Sequence, residues 1–235
     1  MMMAAAARKS TNWFAIGVTA AALVIVLIVG GVVWFANSQA SSPGTLPESS
    51  AVNTETGAIA VGTGEKTVDT YVDFMCPICN QFEQSYGPTL DELVQSGEIT
   101  LNIHPISILD RQSQGTEYST RSAAAAYCVA VDDPANVQAF VKALYAQQPS
   151  EGTAGLDDVT LASIATSAGA SDAVSSCISD GTYTRFVTAM TQKTPLQPNA
   201  SGIATPTIAV DGTVLQNQTD LSGDPTKDIV ERLNG

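Results

Sequence analysis

Two cysteines separated by two residues, Cys76-Pro77-Ile78-Cys79, stand where a β-rich stretch gives way to an amphipathic helical one, and that junction limits the fold more than any other feature. Before it, Lys66–Phe74 carries Thr67, Val68, Thr70, Tyr71, Val72 and Phe74, the β-branched and aromatic composition of a strand. After it, Phe82, Tyr86, Leu90, Leu93 and Val94 recur at helical spacing across Asn80–Ser96, and Gly97 ends the run. Ile99–His104 reads as a second strand. A cysteine at the start of such a helix faces unpaired backbone N–H groups and the positive end of the helix dipole. Both stabilise a thiolate, which makes Cys76 a good leaving group in thiol–disulfide exchange. Pro77 suits the first helical turn, where its missing N–H costs nothing, and Cys79 falls one turn further in. The same motif also reads as half of a zinc site or as an ordinary structural disulfide. Zinc needs about four ligands. The remaining candidates, His104, Cys128 and Cys177, are each at least 25 residues away, so no metal is expected.

The rest of the chain has a different texture. Thr120–Val131, Asn136–Gln147, Asp158–Ala168, Asp172–Ser179 and Tyr183–Gln192 read as helices, with Asp157 or Asp158, Ser171 and Thr182 as candidate N-caps. Strand chemistry returns at Thr207–Val210, and Asp211-Gly212 turns into Thr213–Leu215. Pro225 then opens a closing helix through Leu233. The order is an α/β core with a helical insertion at about 116–193. His104 reads as a packed strand-end residue with no catalytic role.

Residues 11–36 contain no charged side chain, and Trp13-Phe14 and Trp34-Phe35 sit near the two ends of the run. A helix over 13–36 would be about 36 Å long, enough to cross a bilayer. Such a run exceeds the usual signal-peptide core, although Ser38-Gln39-Ala40 would serve as a cleavage site in that alternative. Arg8 and Lys9 keep residues 1–12 cytoplasmic and send the remainder across. Residues 37–64, rich in Ser, Thr, Gly and Pro, read as a flexible linker that ends in a short edge strand near Ala58–Val61. The domain follows at 65–235. From Asn37 onward eight basic residues face 23 acidic ones, a net charge of −15 that argues against nucleic-acid binding.

Asp73-Phe74-Met75-Cys76-Pro77-Ile78-Cys79, with Phe82-Glu83 downstream, resembles the DsbA-like branch of thioredoxin-fold oxidoreductases. Gly202-Ile203-Ala204-Thr205-Pro206-Thr207, followed by Val210-Asp211-Gly212, resembles that family's cis-proline loop and hairpin. The resemblance spans Lys66 to Gly235, and its two motifs lie about 130 residues apart. It implies a thioredoxin-like fold preceded by one transmembrane helix. Cys76 and Cys79 would be catalytic, with Pro77 and Ile78 as the active-site dipeptide. A cis Thr205-Pro206 peptide would face Cys76 and offer Thr205 to an extended substrate.

Cys128 and Cys177 could be buried free thiols filling a core. A matching pair in the resembling proteins, together with an oxidising compartment, implies instead a structural disulfide. The resemblance further implies an extracytoplasmic enzyme that introduces disulfides into exported proteins with free thiols, is reoxidised by a membrane partner of the DsbB or VKOR kind, and needs no cofactor. A membrane-anchored thiol reductase and a redox-active chaperone or binding module are the rival readings. The short segment before the core leaves no room for a dimerisation domain, so a monomer is expected. This chain departs from the family at two places. Ile78 stands where many relatives have His, and Thr70 replaces an acid six residues before the first cysteine. Asp73 is not the equivalent acid, because an odd displacement along a strand reverses the face. Both departures predict a Cys76 thiolate less strongly stabilised than in His-bearing relatives.

Overall fold

The computed structural model of the chain describes residues 26–32 and 42–235. Two units emerge, Met1–Ser42 and Pro43–Gly235. In the first, residues 26–32 are helical; the remainder of the expected 13–36 anchor, and all of 1–12, lie outside the described residues. No helix among the described residues is long and apolar enough to cross a membrane.

The second unit is built on a five-stranded sheet in the order β1-β3-β2-β4-β5. Its strands are β1 (Ile59–Val61), β2 (Lys66–Val72), β3 (Ile99–Pro105), β4 (Thr207–Val210) and β5 (Thr213–Val214). The β2–β3 pair is parallel and brings Thr70 opposite Ile103; the other three pairs are antiparallel. A parallel pair needs a crossover. Here it is α1 (Pro77–Gln95), the helix that begins inside the cysteine motif. The insertion supplies α2 (Tyr118–Asp132), α3 (Val137–Ala146), α4 (Asp158–Ser167), α5 (Val174–Ser179) and α6 (Thr184–Thr191). All five expected helices are present, with ends displaced by one or two residues. Asp157 is the N-cap of α4, its carboxylate accepting the Thr160 N–H at 2.8 Å.

Twelve of the fifteen residues of α2 are buried, four of them the run Ala123–Ala126. Small side chains on every face let neighbouring helices approach this one from all sides. Cys128 of α2 is bonded to Cys177 of α5, with S–S 2.01 Å and Cα–Cα 5.9 Å. The disulfide implied by the resemblance is therefore present, and it staples two helices of the insertion.

Residues 43–64 differ from the flexible linker expected over 37–64. Val52 and Ile59 are buried and bridged to each other, and β1 pairs with β3. Asn53 holds the turn between them, its Oδ1 accepting the N–H groups of Glu55 and Thr56 at 2.9 and 3.1 Å. Gly57 adopts φ +78°, and a Cβ there would lie 2.7 Å from Met190 Cγ. Asn, Thr and Gly serve tight turns and flexible tethers alike, so composition alone does not separate the two.

At the other end, α7 (Asn217–Asp220) leads into a wide helical turn over Thr226–Val230 that continues as α8 (Glu231–Asn234). The expected uniform α-helix from Pro225 is thus interrupted. The interruption coincides with Asp228, which is turned inward to accept from Tyr86 Oη at 2.6 Å and from Ser222. This contact ties the C-terminus to α1.

Candidate active site

The end of β2 delivers the chain into a tight turn in which Cys76 N–H donates to the Asp73 carbonyl at 3.0 Å. Cys76 is the N-cap residue of α1, extended at φ −74° and ψ 117°, and Pro77 follows at the first helical position. Its sulfur therefore lies among the N–H groups that the first helical turn leaves free. The Cys76 thiol is lowered from its ordinary value to about 7. The largest cause is the hydrogen bond from the Cys79 side chain. The N–H groups of Cys79 and Ile78 act in the same direction, while burial and the Asp73 charge oppose. Cys79, fully buried, is pushed well above its ordinary value, first by burial and then by its bond to Cys76. Both thiols are free, but they are unequal.

Opposite them, Thr205-Pro206 is a cis peptide. The Thr205 carbonyl accepts from Cys76 Sγ at 3.6 Å, and its hydroxyl lies 2.9 Å from Cys79 Sγ. The same hydroxyl accepts from Asp73 N–H at 3.1 Å and can donate to the Tyr71 carbonyl at 3.3 Å. The loop is held from behind by Gln197 and Asn217, whose amides donate to the Pro206 carbonyl at 3.0 and 2.6 Å. Fold and turn thus bring Cys76, Cys79, Thr205 and Pro206 together across about 130 residues of sequence. Ile78 is half exposed at 52% and turned to solvent beside the motif. Cys128 and Cys177 belong to the insertion and take no part in the cluster.

Three contributors escaped the sequence reading. Gln148, just past α3, donates to the carbonyls of Phe74 and Cys76 at 3.1 and 2.9 Å, and Asn80 donates back to its Oε1 at 3.1 Å. The insertion therefore clamps the active-site turn, yet a polar residue after a helix carries no signal of that. Glu83 and Tyr145 line a small internal cavity beneath Thr70, and the Tyr145 hydroxyl has no partner. The third is Asp73. The strand ends at Val72, so the alternation that set Asp73 on the wrong face no longer governs it, and its side chain is fully buried. A charged residue inside the otherwise apolar run Val72–Met75 was the available clue. His104, by contrast, is structural as expected. It stacks on Tyr71 at 3.9 Å and sits between the Thr56 carbonyl and Asp69.

The family model described as Thioredoxin matches residues 57–223. Among curated proteins, the serine/threonine-protein kinase PknE of Mycobacterium tuberculosis is 34% identical over 163 residues, covering 66% of this chain. The chain spans only 28% of the length of the curated relatives it matches. Among solved structures, the reduced disulfide bond oxidoreductase DsbG of Mycobacterium tuberculosis is 33% identical at a TM-score of 0.60, covering 68% of this chain and 80% of that one. DsbA of the same organism is 32% identical at a TM-score of 0.60, covering 68% and 85%.

Proposed function

This chain belongs to the thioredoxin family and shares the fold of DsbA-like proteins, and from that premise we propose that it is a thiol–disulfide oxidoreductase introducing disulfides into exported proteins through Cys76 and Cys79. The observation that carries this reading is the inequality of the two thiols. Cys76 ionises at about 7 on a helix N-terminus, and Cys79 is buried one turn inward and held as a thiol. A purely structural disulfide has no use for that difference.

In the oxidised form a substrate thiolate attacks Cys76 Sγ, and the Cys76–Cys79 bond breaks. The electron pair leaves with Cys79, whose raised affinity for a proton draws one from the medium. A second substrate thiolate then attacks the substrate sulfur of the mixed disulfide and expels Cys76 as a thiolate. The substrate has lost two electrons and the cysteine pair has gained them. The Thr205 backbone, beside Cys76, is the edge on which an extended substrate would pair. A membrane oxidant of the DsbB or VKOR kind would take the electrons onward. The uncharged run at 13–36 supports an anchored, monomeric protein whose domain faces away from the cytoplasm.

A thiol reductase is the second reading, favoured by the absence of a basic residue at position 78 and by the Asp73 charge beside Cys76. The test is a trap. Cys79→Ser should accumulate mixed disulfides with exported proteins on non-reducing gels, and Cys76→Ser should give few or none. Equal trapping by both variants, or none by either, would sink the assignment. Mass-tag alkylation of the native protein separates the directions, a mainly oxidised pair marking the oxidase and a mainly reduced pair the reductase.

A further inference from the structure

Asp73 takes no part in the exchange steps above, yet it touches every component of the site. Its carbonyl accepts the Cys76 N–H at 3.0 Å. Its own N–H donates to the Thr205 hydroxyl that meets Cys79. The carboxylate accepts four hydrogen bonds, Oδ1 from Met75 N–H at 2.9 Å and Ser119 Oγ at 2.7 Å, Oδ2 from Ile108 and Leu109 N–H at 2.8 and 3.0 Å. Three of those donors are backbone amides, which cannot turn round to accept. A protonated carboxyl would have to aim its hydrogen at donors or at a reoriented Ser119, so the cage fits an anion. Burial acts against it and pushes the acid up from its ordinary range, with the four donors opposing. No cation pairs with Asp73 among the described residues.

We propose that Asp73 is a positioning residue whose caged carboxylate ties the active-site turn to the helical insertion and sets a fixed negative charge that holds back ionisation of Cys76. The pair is consequently less oxidising than its helix terminus alone would make it. A thiolate stabilised in the reduced form favours oxidising others, and a nearby anion removes part of that stabilisation. The other titratable groups facing the turn are Cys79 from α1, Tyr118 from α2 and Tyr145 from α3. Both tyrosines are pushed up, foremost by burial, and stay neutral. Arg121 lies beyond Tyr118, bonded to Asp158 at 2.7 Å, and Glu83 lies behind Tyr145 across the cavity. Asp73 is thus the anion built directly into the Cys76 turn.

The inference rests on Cys76 being the nucleophile, and one experiment separates the two. The pH profile of Cys76 alkylation and the equilibrium with glutathione are measured on the full chain, as wild type, Asp73→Asn and Ser119→Ala. Asp73→Asn should lower the alkylation midpoint by about one unit and move the glutathione equilibrium several-fold toward oxidation of glutathione. Ser119→Ala keeps the charge and removes one tether, so its midpoint should stay at or above that of the wild type. An unchanged or higher midpoint in Asp73→Asn overturns the proposal. So does a fall in Ser119→Ala, which would assign the effect to loosening rather than charge. If Asp73→Asn does not fold, Ser119→Ala alone decides by the same rule. A wild type in which Cys76 is no more reactive than Cys79 would instead overturn the exchange reading.

Discussion

The two cysteine pairs of this chain begin with the same side chain and end in opposite roles. Cys128 and Cys177 approach from two helices of the insertion, 49 residues apart, and close a bond whose surroundings treat both partners as packing. Cys76 and Cys79 sit on one helix with two residues between them, and their surroundings treat them differently. One is drawn down to about 7 by donors, and the other is pushed up by burial. A long loop closed by a bond stabilises by restricting the unfolded chain. A short one restricts little and is free to cycle. Reactivity here is a property of the environment and of loop length, not of cysteine itself.

That comparison breaks most sharply under substitution. Cys76→Ser should abolish exchange with a small dithiol-accepting substrate while leaving thermal stability nearly unchanged. The Cys128→Ser, Cys177→Ser double variant should do the reverse. It should lose up to about 4 kcal/mol on the loop-entropy model and keep its turnover per folded molecule. Denaturant midpoints beside exchange assays on the folded fraction check both. Loss of turnover in the double variant at unchanged folded fraction would merge the two roles. Gln148→Ala should fall between them. It removes two hydrogen bonds to the active-site turn, each worth about 1 kcal/mol, and so should slow exchange and lower stability together.

The pH dependence of the reduced form sharpens the contrast further. A thiol whose folded value is about 7, against an ordinary 9.0, contributes stability that is fully present above 9 and lost as pH falls through 7. Between pH 6 and 8 the reduced protein should therefore gain about 1 kcal/mol. The oxidised protein, whose sulfurs do not titrate, should gain nothing from this source. Melting both forms over that range tests it, and parallel curves would mean that Cys76 is not perturbed.

Much of this was legible in the sequence because it rests on local rules. The strand, the helix start at Pro77 and the alternating β2 pattern follow from neighbours within a few residues. The Thr205-Pro206 loop and the Cys128–Cys177 bridge depend on distant contacts, and only likeness to a family brought them in. The segment around Asn53–Gly57 was misread because its tight turn and a loose tether use the same residues. Asp73 escaped for a different reason. Strand alternation was carried one residue past the end of β2, where the backbone already turns. Gln148 and Ser119 reach the site from the insertion, and no local pattern announces a contact of that range.

The smallest expected effect lies at position 78. Ile78 is half exposed beside Cys76 and offers neither charge nor hydrogen bond to its thiolate. Ile78→His would place a titratable ring one residue before Cys79 without disturbing the core, since the native side chain contributes little to packing there. A protonated imidazole close to Cys76 should lower the alkylation midpoint below about 7 and move the glutathione equilibrium toward a more oxidising pair. The shift should be smaller than that from Asp73→Asn, because solvent screens an exposed charge more than a buried one. The two changes act on the same thiolate from opposite sides, one adding a cation at the surface and the other removing an anion beneath. The double variant should therefore exceed either single one. A glutathione equilibrium unmoved by Ile78→His would show that the exposed rim of the site does not tune it, and that the buried turn holds that control alone.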